Sequence, residues 1–206
     1  MQTIRNLEHK KKQCIVAYGT SLTADGVWVD ELRLALSKRY PGLATVRNAG
    51  ASGMWSQWGI DNLEERVLSH KPDMVFLEFS INDAYLPYET GTEQSGERLK
   101  LMMDRIWETN PLCDVVVLTM NPPVGEHLQN RPHIEDYYEV YRQIAWERKL
   151  PMIDHHAVWK AIWMSDKERF EKLVPDGIHP SPEGERAVIV PGIEDLLFQE
   201  DASIGG

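Results

Sequence analysis

A serine and a histidine in this sequence have neighbours that suit them for nucleophilic catalysis. Ser21 lies in the segment VAYGTSLTADGVW (residues 16–28), where an apolar run ends abruptly in a Thr-Ser pair. A serine hydroxyl is a poor nucleophile until a neighbouring base removes its proton. Ser21 can therefore be interpreted as a nucleophile on a strand-to-helix turn, or as a hydroxyl that caps the next helix. The segment is not a Gly-x-Ser-x-Gly nucleophile elbow, because Thr23 replaces the second glycine.

Among the seven histidines, His179 has the surroundings expected of a base. It lies in VPDGIHPSPEGERAV (residues 174–188), whose prolines and glycines favour a stiff, non-helical turn. Asp176, three residues earlier, could accept the Nδ1 proton, fix the tautomer and stabilise the imidazolium. Ser181 is expected to cap the helix that follows, with Pro182 as its first residue. The alternative to a catalytic base is a helix entry loop with incidental polar residues.

Donors for a developing oxyanion are also available at the ends of predicted strands. Polar or small residues follow four of these strands: Gly19-Thr20-Ser21, Asn48-Ala49-Gly50, Ser80-Ile81-Asn82-Asp83 and Met120-Asn121-Pro122. In open parallel sheets, ligands bind outside the carboxyl ends of the strands. The backbone N–H groups of Ser21 and Gly50 and the side-chain amide of Asn82 are therefore candidates for an oxyanion hole. Asn82 could instead serve only to form a turn.

The elements that must position these residues follow from the apolar periodicity. Strands are predicted over residues 14–19, 44–50, 73–80, 113–120 and 151–155. Helices are predicted over 27–40, 59–70, 93–110 and 134–149, and around 157–171 and 183–199. This alternation predicts a three-layer α/β/α sandwich with a five-stranded parallel sheet. Without a visible repeat or linker, we expect one domain over residues 1–206, with its core at about 13–199.

Composition and charge exclude several classes of function. The formal net charge of −10 would repel nucleic acid and argues against anionic membranes. No apolar run is long enough to span a bilayer, and the first residues lack a secretory signal. The expected location is cytoplasmic, or secreted if a signal has been removed. Cys14 and Cys113 are expected to be buried, unpaired thiols, and a homo-oligomer is left open.

Four sequence blocks resemble those of the SGNH (GDSL-type) hydrolases, a family of esterases. The blocks are GTSLT (19–23), NAGASG (48–53), SIND (80–83) and DGIHPS (176–181), in an order that covers nearly the whole chain. The resemblance implies a flavodoxin-like three-layer fold. It also implies that Ser21 is the nucleophile, His179 the base and Asp176 its orienting acid, with an oxyanion hole formed by Ser21, Gly50 and Asn82. No cofactor and no metal are implied.

Two residues depart from the family pattern. Thr20 stands where the family usually has Asp, and Ser80 where it usually has Gly. Neither change removes a catalytic atom, so we expect the reaction class to be retained. Ser80 adds a hydroxymethyl group that we expect to narrow the acyl side of the pocket. Glu78, just before that block, is expected to be a buried carboxylate that serves either substrate or structure.

The leading functional hypothesis is hydrolysis of short-chain acyl esters, with acetyl groups on carbohydrates as a candidate substrate. The substrate partner would then be a small-molecule or carbohydrate ester. Trp55 and Trp58 could be platforms for sugar rings, or could pack under the neighbouring helix. Asn121, at the end of the fourth strand, is a further candidate for substrate binding. No long apolar lid of the kind found in lipases is evident in the sequence.

Two other classes of function compete with this hypothesis. A non-catalytic small-molecule or anion-binding module could use the 19–21 loop and a helix N-terminus, but it gives no role to His179 or Asn82. Metal-assisted hydrolysis at Asp154, His155 and His156 is weaker, because those residues lack a regular ligand spacing.

Overall fold

A computed structural model describes residues 1–198, and a five-stranded parallel sheet lies at its centre. The strands are β1 (Gln13–Gly19), β2 (Ala44–Asn48), β3 (Met74–Glu78), β4 (Asp114–Thr119) and β5 (Met152–Asp154). Their order is β2-β1-β3-β4-β5, and every neighbouring pair is parallel. The predicted sheet is therefore confirmed, with strands that end one to two residues earlier than expected in most cases.

Helices surround the sheet on both sides. Those that precede β4 are α1 (Gln2–Glu8), α2 (Ser21–Ala24), α3 (Trp28–Arg39), α4 (Ser56–Asp61), α5 (Leu63–Arg66), α6 (Ser80–Asp83) and α7 (Thr92–Thr109). Those that follow it are α8 (Glu126–Gln129), α9 (Ile134–Glu147), α10 (His155–Ser165), α11 (Lys167–Leu173), α12 (Pro182–Gly184) and α13 (Val190–Phe198). A π-helical turn, Glu185–Ile189, joins α12 to α13. Within the described residues, no helix has the length and apolar character needed to cross a membrane.

Both faces of the sheet are buried, which explains the almost continuous apolar strands. Successive side chains of a strand point to opposite faces, and in β1 Ile15 and Ala17 join one apolar cluster while Val16 and Tyr18 join the other. Helices α3 and α13 cover the first face, and α7 and much of α9 cover the second. This arrangement confirms the predicted three-layer α/β/α sandwich.

Several helices differ from the sequence-based expectation at their ends. Helix α1 was not predicted; its first N–H groups, at Gln2 and Thr3, donate to the Asp114 carboxylate at 3.2 and 2.7 Å. The predicted helix around 157–171 is two helices, because Asp166 accepts from Arg169 N–H and starts a new one. Residue 199, the predicted end of the last helix, and the rest of the predicted domain to 206 lie outside the described residues.

The strand order places two loops at a switch point of the sheet. Since β2 and β3 lie on opposite sides of β1, the connections after β1 and β3 diverge from adjacent strand ends. Gly19 at the end of β1 is paired with Glu78 at the end of β3. The residues that follow, Thr20-Ser21 and the α6 segment, are therefore brought together at the carboxyl edge.

Candidate active site

The turn after β1 presents Ser21 at the beginning of a short helix. Thr20 is the N-cap of α2, and its Oγ1 accepts a hydrogen bond from Leu22 N–H at 3.2 Å. The capping hydroxyl is thus that of Thr20, which leaves the Ser21 hydroxyl available. Ser21 Oγ lies 2.9 Å from His179 Nε2. Its N–H is in the first turn of the helix, where backbone donors have no intrahelical partner.

The His179 ring is held from its other side by Asp176. Its Nδ1 lies 2.6 Å from Asp176 Oδ2, and Asp176 Oδ1 accepts the backbone N–H groups of Ile178 and His179 at 3.0 and 2.7 Å. Partial burial alone would raise the pKa of Asp176, but these hydrogen bonds outweigh it and hold the pKa below its ordinary value. Ser181 also caps α12, so one segment both starts a helix and carries the imidazole.

The end of β4 fixes the histidine loop in place. Asn121 is fully buried, and its Nδ2 donates to the carbonyl of Ile178 at 2.9 Å. Val124 N–H donates to the carbonyl of Gly177, whose φ of +86° favours glycine. The buried Asn121 side chain does not line the cleft beside Ser21.

The candidate oxyanion donors lie around the same turn. Asn82 is buried within α6, which follows β3, and its Nδ2 donates to Met54 O at 2.9 Å. Gly50 N–H donates to Asn48 Oδ1 at 3.1 Å. A Cβ at Gly50 would lie 2.6 Å from the Ala24 backbone nitrogen, so only glycine fits this close against α2.

A cleft of about 310 Å³ opens beside the Ser21 hydroxyl. It is lined by Ser21, Leu22, Asp25, Ser52, Gly53, Ile81, Asn82, His127, Arg131, Ile178 and His179. No motif or spacing in the sequence marks His127 or Arg131 as part of the cleft. The apolar part of the wall comes mainly from three aliphatic side chains, Leu22, Ile81 and Ile178.

Glu78 lies directly beneath the nucleophile turn. Its Oε2 accepts the backbone N–H and the hydroxyl of Thr20 at 3.1 and 2.9 Å. Burial raises the pKa of Glu78 to about 8, and the hydrogen bonds from Thr20 and Thr23 only partly oppose this effect. The carboxyl is buried, as expected from the sequence, and its contacts are with the turn.

Three side chains expected near the substrate or the pocket lie elsewhere. Ser80 is fully buried and does not line the cleft, so the expected narrowing of the pocket by its hydroxymethyl group is wrong. Trp58 packs against the core beside Tyr18, with ring centroids 5.8 Å apart. Trp55 stacks on Tyr88, with ring centroids 4.4 Å apart, and is not part of the cleft wall.

The Asp154-His155-His156 segment is engaged in the interior. Asp154 pairs with Arg142 at 2.9 Å and accepts from Thr119 Oγ1 at 2.6 Å. Burial lowers the pKa of His155 to about 4. Across residues 1–198, no group of three or more His, Cys, Asp or Glu side chains is arranged to hold a metal ion.

The fold and the four blocks agree with a match to a known family. The profile of the GDSL-like lipase/acylhydrolase family matches residues 15–187, and the chain belongs to this family. The chain is therefore a carboxylic ester hydrolase. An arylesterase of Vibrio mimicus is 25% identical over 161 residues, which cover 76% of this chain and 69% of the relative. Thioesterase 1/protease 1/lysophospholipase L1 of Escherichia coli K12 is 24% identical over 166 residues, covering 79% and 70%.

Solved structures share the same fold. An acetylxylan esterase from Geobacillus stearothermophilus superposes with a TM-score of 0.76 at 23% identity, covering 92% of this chain and 96% of that one. A lipase/acylhydrolase from Enterococcus faecalis gives a TM-score of 0.74 at 26% identity, covering 89% and 95%. These similarities confirm the predicted fold class.

Proposed function

We propose that this protein is a serine esterase that hydrolyses short-chain acyl esters with a Ser21–His179–Asp176 triad. The observation that carries the proposal is the continuous hydrogen-bond chain from the Ser21 hydroxyl through both ring nitrogens of His179 to Asp176. Such a chain activates an alcohol, because one ring nitrogen can accept the hydroxyl proton while the other donates to the carboxylate. The expectation that Asp176 orients the base is supported by the two backbone N–H groups that fix its carboxylate.

In the acylation step, Ser21 Oγ attacks the ester carbonyl carbon while His179 Nε2 accepts the hydroxyl proton. The carbonyl oxygen becomes an oxyanion, for which Ser21 N–H, Gly50 N–H and Asn82 Nδ2–H are the proposed donors. Gly50 N–H would have to turn from the Asn48 side chain to the substrate. The imidazolium then protonates the leaving alkoxide oxygen, and the alcohol departs as the acyl–oxygen bond breaks.

In the deacylation step, a water molecule repeats the sequence on the acyl-enzyme. His179 accepts a proton from the water, whose oxygen attacks the acyl carbon. The second oxyanion collapses, the bond to Ser21 breaks, and the imidazolium returns its proton to the serine oxygen. The products are a carboxylic acid and the free enzyme.

The size of the cleft supports a small acyl group. Its volume of about 310 Å³ is at the lower end of ligand pockets. The similarity to an acetylxylan esterase favours acetyl groups on carbohydrates as the substrate. For Trp55 and Trp58, the observed packing supports a role in holding the 53–58 loop beside the cleft. For Asn121, it supports a role in positioning His179.

The test is hydrolysis of p-nitrophenyl esters from acetate to octanoate by the wild type, Ser21→Ala and His179→Ala. Release of acetate from acetylated xylo-oligosaccharides would be measured in parallel. We expect activity mainly on the short esters and a loss of about 10⁴-fold or more in both variants. Ser69→Ala and His9→Ala are matched controls, because they alter exposed residues that precede β3 and β1, at the opposite edge of the sheet from the cleft.

Equal rates in the wild type, Ser21→Ala and His179→Ala would contradict the proposed triad. The reactive residues would then have to be sought outside this cleft, and the loop after β1 would be a binding site only. Activity that rises with acyl chain length would retain the triad but would contradict the assignment to short acyl groups.

A further inference from the structure

Arg131 is a buried cation at the wall of the cleft, and the reaction described above does not use it. The residue is only 7% exposed and follows α8 in the loop before α9. Within residues 1–198, no carboxylate lies within salt-bridge distance of its guanidinium. Burial of an unpaired charge is costly, so its neutral contacts must account for its position.

Those contacts connect Arg131 to the residues of α6. Its Nε donates to the carbonyl of Ile81 at 2.8 Å, and one terminal nitrogen donates to Asn82 Oδ1 at 3.0 Å. The guanidinium carbon lies 4.7 Å from the centre of the Tyr85 ring, a favourable cation–π distance. The guanidinium therefore holds the side chain of one proposed oxyanion donor directly.

The two partners of Asn82 determine which way its amide points. A guanidinium only donates hydrogen bonds, so the atom that faces Arg131 must be the amide oxygen. A backbone carbonyl only accepts, so the atom that faces Met54 must be the amide nitrogen. If the amide were flipped, its nitrogen would face the guanidinium of Arg131, and its oxygen would face the carbonyl oxygen of Met54. One hydrogen of Nδ2 is used by Met54, and the second is left for a ligand in the cleft.

We propose that Arg131 is a positioning residue for the oxyanion hole and acts through Asn82. It fixes the orientation of the amide, and its charge polarises the amide so that the remaining N–H becomes a stronger donor. Because the Arg131 and Asn82 side chains are both buried, that polarisation is screened less than at the surface. The inference rests on the proposed function, since it requires the oxyanion to form beside Asn82.

The experiment is a double-mutant cycle with Arg131→Met and Asn82→Ala, with kcat and KM measured on p-nitrophenyl acetate. Loss of an oxyanion donor costs about 10²–10³ in kcat, so we expect Asn82→Ala to fall in that range. Arg131→Met should lower kcat by at least about tenfold, with a much smaller change in KM. In the Asn82→Ala background, the same substitution should lower kcat by less than about twofold.

Arg131→Lys is run through the same cycle, so that a variant that fails to fold does not decide the outcome. It keeps a charge and can reach one of the two acceptors, so we expect a kcat between those of the wild type and Arg131→Met. Arg148→Met is the matched control, because Arg148 forms a surface pair with Asp104 and should leave kcat unchanged. Thermal unfolding of each variant separates loss of fold from loss of positioning.

Two results would overturn the inference. The first is an unchanged kcat in folded Arg131→Met and Arg131→Lys. The second is an equal fall in kcat on replacing Arg131 with and without Asn82. Either result would show that Arg131 does not act through this amide. If Ser21→Ala and Asn82→Ala both impair turnover while the Arg131 variants do not, only the inference fails. If Ser21→Ala retains full activity, the proposed function itself fails.

Discussion

Replacing Glu78 by glutamine should remove a large part of the pH dependence of this protein's stability. Glu78 is 1% exposed and hydrogen-bonded to the turn that carries the nucleophile. Burial raises its pKa from an ordinary value of 4.5 to about 8, because the interior disfavours the charged carboxylate. The folded chain therefore binds this proton more tightly than the unfolded chain does.

The sign and size of the effect follow from that difference. The contribution of the protonated Glu78 carboxyl to the stability of the fold is fully present below about pH 4.5 and is lost as the pH rises through about 8. At about 1.4 kcal/mol per pH unit, the free energy of unfolding of the wild type should fall by up to roughly 5 kcal/mol across this range. Glutamine has nearly the same shape, can still accept from Thr20, and does not titrate.

Urea unfolding of the wild type and Glu78→Gln, followed by tryptophan fluorescence between about pH 5 and pH 9, measures this difference. The free energy of unfolding of Glu78→Gln, relative to that of the wild type, should increase as the pH rises. Glu185, whose pKa burial raises to about 7, and His155 titrate in both proteins and cancel in the comparison. The exposed Glu64→Gln is a matched control with no expected change in slope. Parallel stability curves for the wild type and Glu78→Gln would refute the reasoning.

Three further substitutions test how the site is held together. Asp176→Asn should lower kcat on p-nitrophenyl acetate by about 10⁴-fold, because the His179 tautomer is no longer fixed; a fall below about tenfold would contradict that role. Gly19→Ala would place a Cβ 2.5 Å from a backbone carbonyl oxygen, so thermal unfolding should show a loss of about 1–3 kcal/mol. Asn121→Ala should cost about 1–3 kcal/mol in urea unfolding, because it leaves the carbonyl of Ile178 without its buried donor. Wild-type stability in either of the last two variants would count against the contact concerned.

The five strands and the helices between them could be predicted because their sequence signals are local. Buried parallel strands produce continuous apolar runs, and the intervening helices have their own period. The Ser21 and His179 segments could be found for a similar reason, since each carries its capping and turn residues within a few positions. That Thr20 rather than Ser21 caps α2 required the structure, because the two hydroxyls are adjacent and chemically alike.

Features that depend on distant residues could not be predicted in this way. The first N–H groups of helix α1 donate to Asp114, which is 112 residues away from Gln2. Asn121 follows the fourth strand as expected, yet the direction of its side chain toward Ile178 is set by the packing of a loop nearly sixty residues later. Arg131 lies in no motif, and only the folded chain brings its guanidinium to the Asn82 amide. Sequence patterns identify residue types and their spacing, whereas these contacts depend on tertiary geometry.

The contacts of Thr20 explain why its departure from the family pattern is tolerated. The hydroxyl at this position has two tasks: it caps α2, and it donates to Glu78 at 2.9 Å. An aspartate could also cap the helix, but beside Glu78 it would place two carboxyl groups in a buried site, where like charges oppose ionisation. Threonine removes that conflict while keeping the cap. Burial raises the pKa of Glu78 to about 8, so this carboxyl can stay protonated at neutral pH without a second acid beside it.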